Sequence, residues 1–335
     1  MKQTGRLLLC LLIFSSALIS SVNSLELKLG TTAPPGSPWD FALKELASQW
    51  YSLSKGRVSI KIYSGGIAGT EDDMIRKTRI GQLQAVVVTG SGLASISPEL
   101  LALSLPLLVR TDSELDYLLI HMEDDFNALL EEKGFSVIAW QRAGWLKVFS
   151  KREALTPAEL RLHRLALPLE DLSFQQIWRS MGFNIISLQS NDFLTGLQAG
   201  MVDAIISAPL VAAAYQWFPL VPHMNEISFA PLVGALVVDT KTWRRVPEDL
   251  RELLLLKARE VLSPLEKEIS GLESEAVVFM KGMNLIVSPV PPEVLEEWSL
   301  LCSRGYSTII GNTISKELFN RMEKTLEDYR SKPQG

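Results

Sequence analysis

The chain has 335 residues, a net charge of −5 and an apolar fraction of 47%, so it is long enough for two lobes and too weakly charged to be a polyanion binder. No basic stripe and no interleaving of basic with aromatic residues occurs, which excludes nucleic acid as a partner. Of the two cysteines, Cys10 falls in the leader described next, leaving Cys302 without an internal disulfide partner.

Residues 1–24 read as a secretory signal peptide. Lys2 and Arg6 form a basic start, residues 7–19 an apolar core, and Val22-Asn23-Ser24 a small-residue cleavage site before Leu25. The apolar run is too short to span a bilayer. Export to the periplasm, with cleavage near Ser24/Leu25, is the expectation.

Residues 25–30 alternate as a strand, and Pro34, Pro35 and Gly36 make the following segment a loop. Helical spacing resumes over 39–53, and 57–63 is a period-two strand. Thr70 and Asp73 form a capping-box variant that opens a helix reaching Gly81. Residues 85–88 are a buried strand followed by Thr89-Gly90-Ser91-Gly92. The Gly90-x-Gly92 pair lacks the third glycine and the acidic ribose partner of a dinucleotide fingerprint, so a tight turn at a cleft rim is expected there.

An amphipathic helix is expected over 111–133, and strands over 135–140 and 146–150. Between Thr156 and Pro209, strands at 165–167, 184–187 and 204–207 alternate with helices at 169–181 and 192–199. That alternation predicts a parallel α/β unit, with ligand at the carboxyl ends of its strands. Residues 229–238 form a long apolar strand, and Pro247-Glu248-Asp249 opens the longest helix, reaching about 281, with a kink expected at Pro264. Helices over 292–310 and 315–329 close the chain, and 331–335 reads as a frayed tail.

No catalytic constellation is legible. His121, His163 and His223 have no metal-ligand spacing, and no H-E-x-x-H, Walker A or G-x-S-x-G pattern occurs. Asp192 and Asp203 could be read as an acid–base pair, but no nucleophile or second group is legible beside them. Neither an enzyme nor a cofactor- or metal-dependent protein is expected.

Thr156-Pro157, Leu160, Pro168, Gly182, Leu197-Gln198, Gly200 and Val202-Asp203, together with the Pro-rich first loop, Gly65-Gly66-x-x-Gly69, Pro98-Glu99-Leu100 and Leu105-Pro106-Leu107, resemble the TRAP-transporter extracytoplasmic substrate-binding proteins, the DctP-like family. The match in order and spacing covers nearly the whole exported chain. It implies an α/β fold of two lobes around a central cleft, with hinge strands and a long helix lying across both lobes, and for Asp203, where the family has an Asp opening a strand, a backbone hydrogen bond. The lobes are expected as 25–143 with 232–271, and 144–231 with 272–330, closing around ligand by hinge bending. The resemblance also implies integral membrane permease subunits as partners, and in some branches a periplasmic tetratricopeptide-repeat protein.

At the site, this sequence departs from the pattern. Organic-acid binders of the family clamp a carboxylate with an Arg two residues before the Pro that here is Pro168; that position is Ala166. A second family Arg, in G-x-R, is replaced by Leu146 in Gly144-Trp145-Leu146. Polar Glu-Asn becomes Ile206-Ser207, and the first-lobe rim becomes Thr32, Thr89 and Gly92. With Trp39, Gly90, Trp145, Ser190 and Phe193, these residues form the expected site, which suits an apolar or amphipathic ligand. Two alternatives stand beside this: an organic acid held by Arg142 or Arg164, and a sensor or scaffold module without transport.

Overall fold

The computed structural model describes residues 24–332 except Glu170; the leader, apart from Ser24, and the last three residues of the expected tail lie outside the described residues. The chain begins with a β–α–β unit, β1 (Leu25–Gly30), α1 (Pro38–Leu53) and β2 (Val58–Tyr63). Then come α2 (Glu71–Arg79), β3 (Ala85–Val88), α3 (Gly90–Ile96), a 3-10 segment at Pro98–Ser104 and α4 (Asp112–Glu132). Strand β4 (Phe135–Ser150) leads to α5 (Pro157–Leu160), β5 (Arg164–Pro168), α6 (Leu172–Ser180), β6 (Asn184–Leu188), α7 (Phe193–Gln198), β7 (Ala204–Ser207) and α8 (Pro209–Ala214). The remainder is β8 (His223–Asn225), β9 (Ala230–Asp239), α9 (Thr240–Trp243), α10 (Glu248–Gly282), β10 (Ile286–Ser288), α11 (Pro292–Tyr306) and α12 (Lys316–Arg330).

The strands order as β2-β1-β3-β9-β4-β7-β5-β6, with β8 on β4 and β10 on β8. The β1–β2, β1–β3, β5–β6 and β5–β7 pairs are parallel, while β9 and β4 run antiparallel to each other and to their outer neighbours. Two parallel half-sheets, one per lobe, are therefore joined through a central antiparallel pair. Where the sequence suggests separate strands at 135–140 and 146–150, one 16-residue strand runs through both. The intervening Gln141–Trp145 stretch is absorbed as a register shift against β9 between Arg142 and Trp145.

Gly144 sits in that bulge at φ 99°, a conformation that disfavours any Cβ, and an added Cβ would fall 2.3 Å from the Glu273 carboxyl carbon. The same carboxyl accepts a hydrogen bond from the Trp145 backbone N–H. Gly144→Ala must strain the backbone and displace Glu273 from this bond. A loss of about 2 kcal/mol is expected, read as a drop in thermal midpoint.

Helix α10 crosses the sheet and contributes to both lobes. Leu250, Leu254, Ala258 and Leu262 pack with Leu43, Leu46, Trp50 and Leu236, whereas Met280 packs with Phe149, Trp217 and Phe218. The Trp50 indole fixes α1 to it by donating to the Leu254 carbonyl at 3.0 Å. The helix continues through Pro264 to Gly282. The interior departure from helical angles lies instead in α4, at Met122 (φ −125°, ψ 15°). At the carboxyl end, α12 is tied to α4 by Arg330 on Glu114 and Arg321 on Asp125.

Candidate functional site

Strands β3, β5 and β7 end near one another at the junction of the two half-sheets, and a cavity of about 180 Å³ lies beyond their carboxyl ends. Such strand ends are where open α/β folds place ligands, because loop N–H groups and side chains converge there without a sheet face to block them. Leu146, Leu167, Ile206 and Leu232 wall it from the central strands, and Leu101 and Phe174 from the flanking helices. Thr89, Ser91, Ser104 and Asp171 are its polar side chains. Among the described residues, no Lys or Arg lines it.

Of the residues expected from the sequence, Thr89, Gly90, Leu146, Pro168 and Ile206 line this cavity. Trp145 faces a second cavity across β4, where its indole N–H donates to Asp112 at 2.9 Å. Thr32 is exposed in the first loop, while neighbouring Thr31 is buried. That loop is fixed by Asp40, which accepts from the Gly36 N–H, the Ser64 hydroxyl and Lys44, holding its carboxyl down to about 2. Trp39, on α1, and Ser190, in the turn before α7, also lie off the cavity lining. Ser207 is buried and donates to the Ala208 carbonyl at 3.3 Å. Phe193 stacks obliquely on Trp217 inside the second lobe, with centroids 5.3 Å apart.

Ala166 is fully buried in that same core, with Phe149, Phe193, Leu197 and Ile205. It packs behind the cleft wall and does not line it. The expected tight turn at Thr89–Gly92 is the N-terminus of α3, with Thr89 as its N-cap. Gly92 is required for close approach: a Cβ there would lie 2.4 Å from a Glu71 carboxyl oxygen and 2.8 Å from the Val88 side chain.

Glu71 was not legible as a site residue. It follows Gly69 and Thr70, the latter forming the expected capping box with Asp73. Its carboxyl turns under the cleft rim and accepts from both the Thr89 N–H and the Thr89 hydroxyl, each at 3.0 Å, and from the Gly92 N–H. Burial pushes its pKa up to about 7 against these hydrogen bonds, and the negative charge of Asp171 adds to the rise. The proton is thus retained in the folded state through the pH range in which the unfolded chain ionises. Stability from this group is present below about 4.5 and is lost as pH rises towards 7. Glu71→Gln is therefore expected to raise the melting temperature relative to wild type more at pH 8 than at pH 5, as differential scanning fluorimetry would read.

Both alternative carboxylate clamps lie elsewhere. Arg142 bonds Glu266 at 2.8 and 3.2 Å and approaches Asp112 and Asp116 at 3.4 and 3.3 Å, in the second cavity. Arg164 opens β5, at the end remote from the cavity, and pairs with Asp203 at 3.1 Å. Four residues of strand, roughly 13 Å, separate it from Pro168. Asp203 also accepts the Arg164 backbone N–H at 2.7 Å, the backbone role expected of it. Lys147, next to Leu146, gives its ammonium to the Glu226 carbonyl and the Ser228 hydroxyl.

Residues 29–309 match the family described as bacterial extracellular solute-binding protein, family 7. The 2,3-diketo-L-gulonate-binding periplasmic protein of Escherichia coli K12 is 21% identical over 299 residues, covering 88% of this chain and 87% of that protein. A TRAP periplasmic solute-binding protein from Ochrobactrum anthropi superposes with a TM-score of 0.85 at 16% identity, over 92% of this chain and 97% of the other. One from Desulfovibrio salexigens, solved with orotic acid, gives 0.81 at 16% identity, over 91% and 98%. These structures share the two-lobed fold.

Proposed function

The chain belongs to the bacterial extracellular solute-binding proteins of family 7, and from that premise we propose that it is the periplasmic substrate-binding subunit of a TRAP-type importer whose ligand is apolar or amphipathic. The observation that carries the ligand class is the cavity lining, in which Leu146, Leu167, Ile206 and Leu232 surround a few polar side chains, with no Lys or Arg among the described lining residues. A carboxylate transferred there loses water and gains no ionic partner, at a cost of several kcal/mol. An apolar body gains roughly 25 cal/mol per Å² removed from water, so about 200 Å² of contact offers on the order of 5 kcal/mol before ordering costs.

Relatives that bind acids, such as the orotic acid complex, make the organic-acid reading the natural rival. It requires Arg142 or Arg164 to reach the ligand, and both are engaged with carboxylates away from the cavity. Closure of the lobes about β4 and β9 would enclose the ligand, and delivery to membrane permease subunits would follow. Calorimetry of the exported chain against succinate and against a medium-chain alcohol separates the readings. Heat from the alcohol and none from succinate is expected. Micromolar succinate binding that disappears in Arg142→Ala or Arg164→Ala would establish a displaced clamp instead.

A further inference from the structure

We propose that the cleft selects an uncharged hydrogen-bonding head group, an alcohol or primary amide on a small apolar body, read by the hydroxyls of Ser91 and Ser104. This deepens the reading of the cleft as a site for apolar or amphipathic ligands and rests on it. Thr89, Ser91 and Ser104 bring hydroxyl side chains to the cavity lining. That of Thr89 is already engaged, donating to the Glu71 carboxyl at 3.0 Å. Ser91 and Ser104 are partly buried, and their hydroxyls have no hydrogen-bond partner among the described residues. Ser91 lies in the first turn of α3 and Ser104 ends the 3-10 segment, so two separate elements supply the pair. Gly90 stands beside both and keeps the Ser104 oxygen open, since a Cβ at position 90 would lie 3.1 Å from it.

A hydroxyl rotates to donate or to accept, so this pair suits a head group that does both. Elsewhere the lining is largely apolar, with Leu146, Leu167, Ile206 and Phe174 reaching in from β4, β5, β7 and α6. Filling such a cavity takes water from the two serines, and a ligand without a polar end leaves their hydroxyls unpaired, which weakens its binding. An alcohol or amide restores those bonds, and a few polar groups in an apolar pocket are what fix a ligand's orientation. A carboxylate could accept the same bonds, but it brings a charge for which no Lys or Arg stands among the described lining residues. The primary amide keeps the carboxylate's shape and sheds that charge, so the two separate recognition of shape from recognition of charge.

The test is calorimetric titration of the exported chain at neutral pH with 3-phenylpropanamide, 3-phenylpropanoate, 3-phenylpropan-1-ol and propylbenzene. The amide is expected to bind at least about tenfold more tightly than the carboxylate. Ser91→Ala and Ser104→Ala should each weaken the alcohol by about fivefold and leave propylbenzene no weaker, because losing a hydroxyl penalises only a ligand that bonds to it. Gly90→Ala, whose methyl crowds the Ser104 oxygen, should act on the alcohol as Ser104→Ala does. Alcohol and propylbenzene weakened by the same factor, or alcohol binding untouched in both serine variants, overturns the head-group recognition while leaving the apolar cleft standing. A carboxylate that binds tightest, or no binding by any of the four, overturns both.

Discussion

Replacing Ala166 by arginine is expected to destabilise the second lobe and not to restore an organic-acid clamp. Ala166 has no exposed surface and packs against Phe149, Phe193, Leu197 and Ile205. A guanidinium there is buried without a carboxylate partner, which costs about 3–5 kcal/mol, and its volume adds overpacking of about 1–3 kcal/mol. The measurement is the thermal midpoint of Ala166→Arg beside wild type, where a fall of roughly 10 °C or outright failure to fold is expected. Leu146→Arg is the informative contrast, because Leu146 is half-buried and faces the open cavity. Its charged end has room to reach water, so its midpoint should fall far less. Equal midpoints for wild type and Ala166→Arg would mean that position 166 opens into the cleft.

Trp298→Ala is expected to cost about 4 kcal/mol, within the range for deleting a large buried aromatic. Trp298 projects from α11 and has no exposed surface. It stacks on Phe183 at 5.5 Å and 14°, meets Phe229 edge-on at 4.9 Å, and lies 6.4 Å from Trp178. Its indole N–H donates to the Leu155 carbonyl at 2.6 Å. Truncation therefore removes three ring contacts, leaves a cavity between α11, α6 and the start of β9, and strips a partner from a backbone carbonyl ahead of α5. Trp298→Phe retains most of the volume and loses the hydrogen bond, so it should cost about 1–2 kcal/mol. Chemical denaturation of the three proteins gives the ranking directly. An alanine variant as stable as the phenylalanine variant would show that the ring cluster does not hold α11 in place.

How much was legible in the sequence follows from the range of the interactions involved. Period-two and helical spacing marked most of the long elements, because those patterns are set by burial within each segment. The three-residue strands His223–Asn225 and Ile286–Ser288 are too short to show a period, and they pair with each other across more than sixty positions. The Gln141–Trp145 interval breaks the strand pattern because Gln141 and Arg142 are polar and Gly144 is a strand breaker, whereas a bulge against β9 carries one strand through it. Leu165, Ala166 and Leu167 are all fully buried, so alternation could not say which of them faces the cleft; Leu167 lines it and Ala166 does not. Glu71 reads as an ordinary first-turn acid of α2, and only the fold brings it to Thr89, 18 residues away. The replacement of the family arginines was readable, yet the positions of Arg142 and Arg164 were decided by tertiary contacts with Glu266 and Asp203.

The most direct measurement is to identify what the cleft holds when the protein is exported and purified. Mass spectrometry of the intact protein under native conditions, followed by extraction and identification of any bound small molecule, reports the ligand without presupposing its class. A cleft walled by Leu146, Leu167, Ile206 and Leu232, with no Lys or Arg among its described lining residues, predicts a molecule with an apolar body and no carboxylate. A stoichiometric mono- or dicarboxylate, released when Arg142 or Arg164 is replaced by alanine, would contradict it.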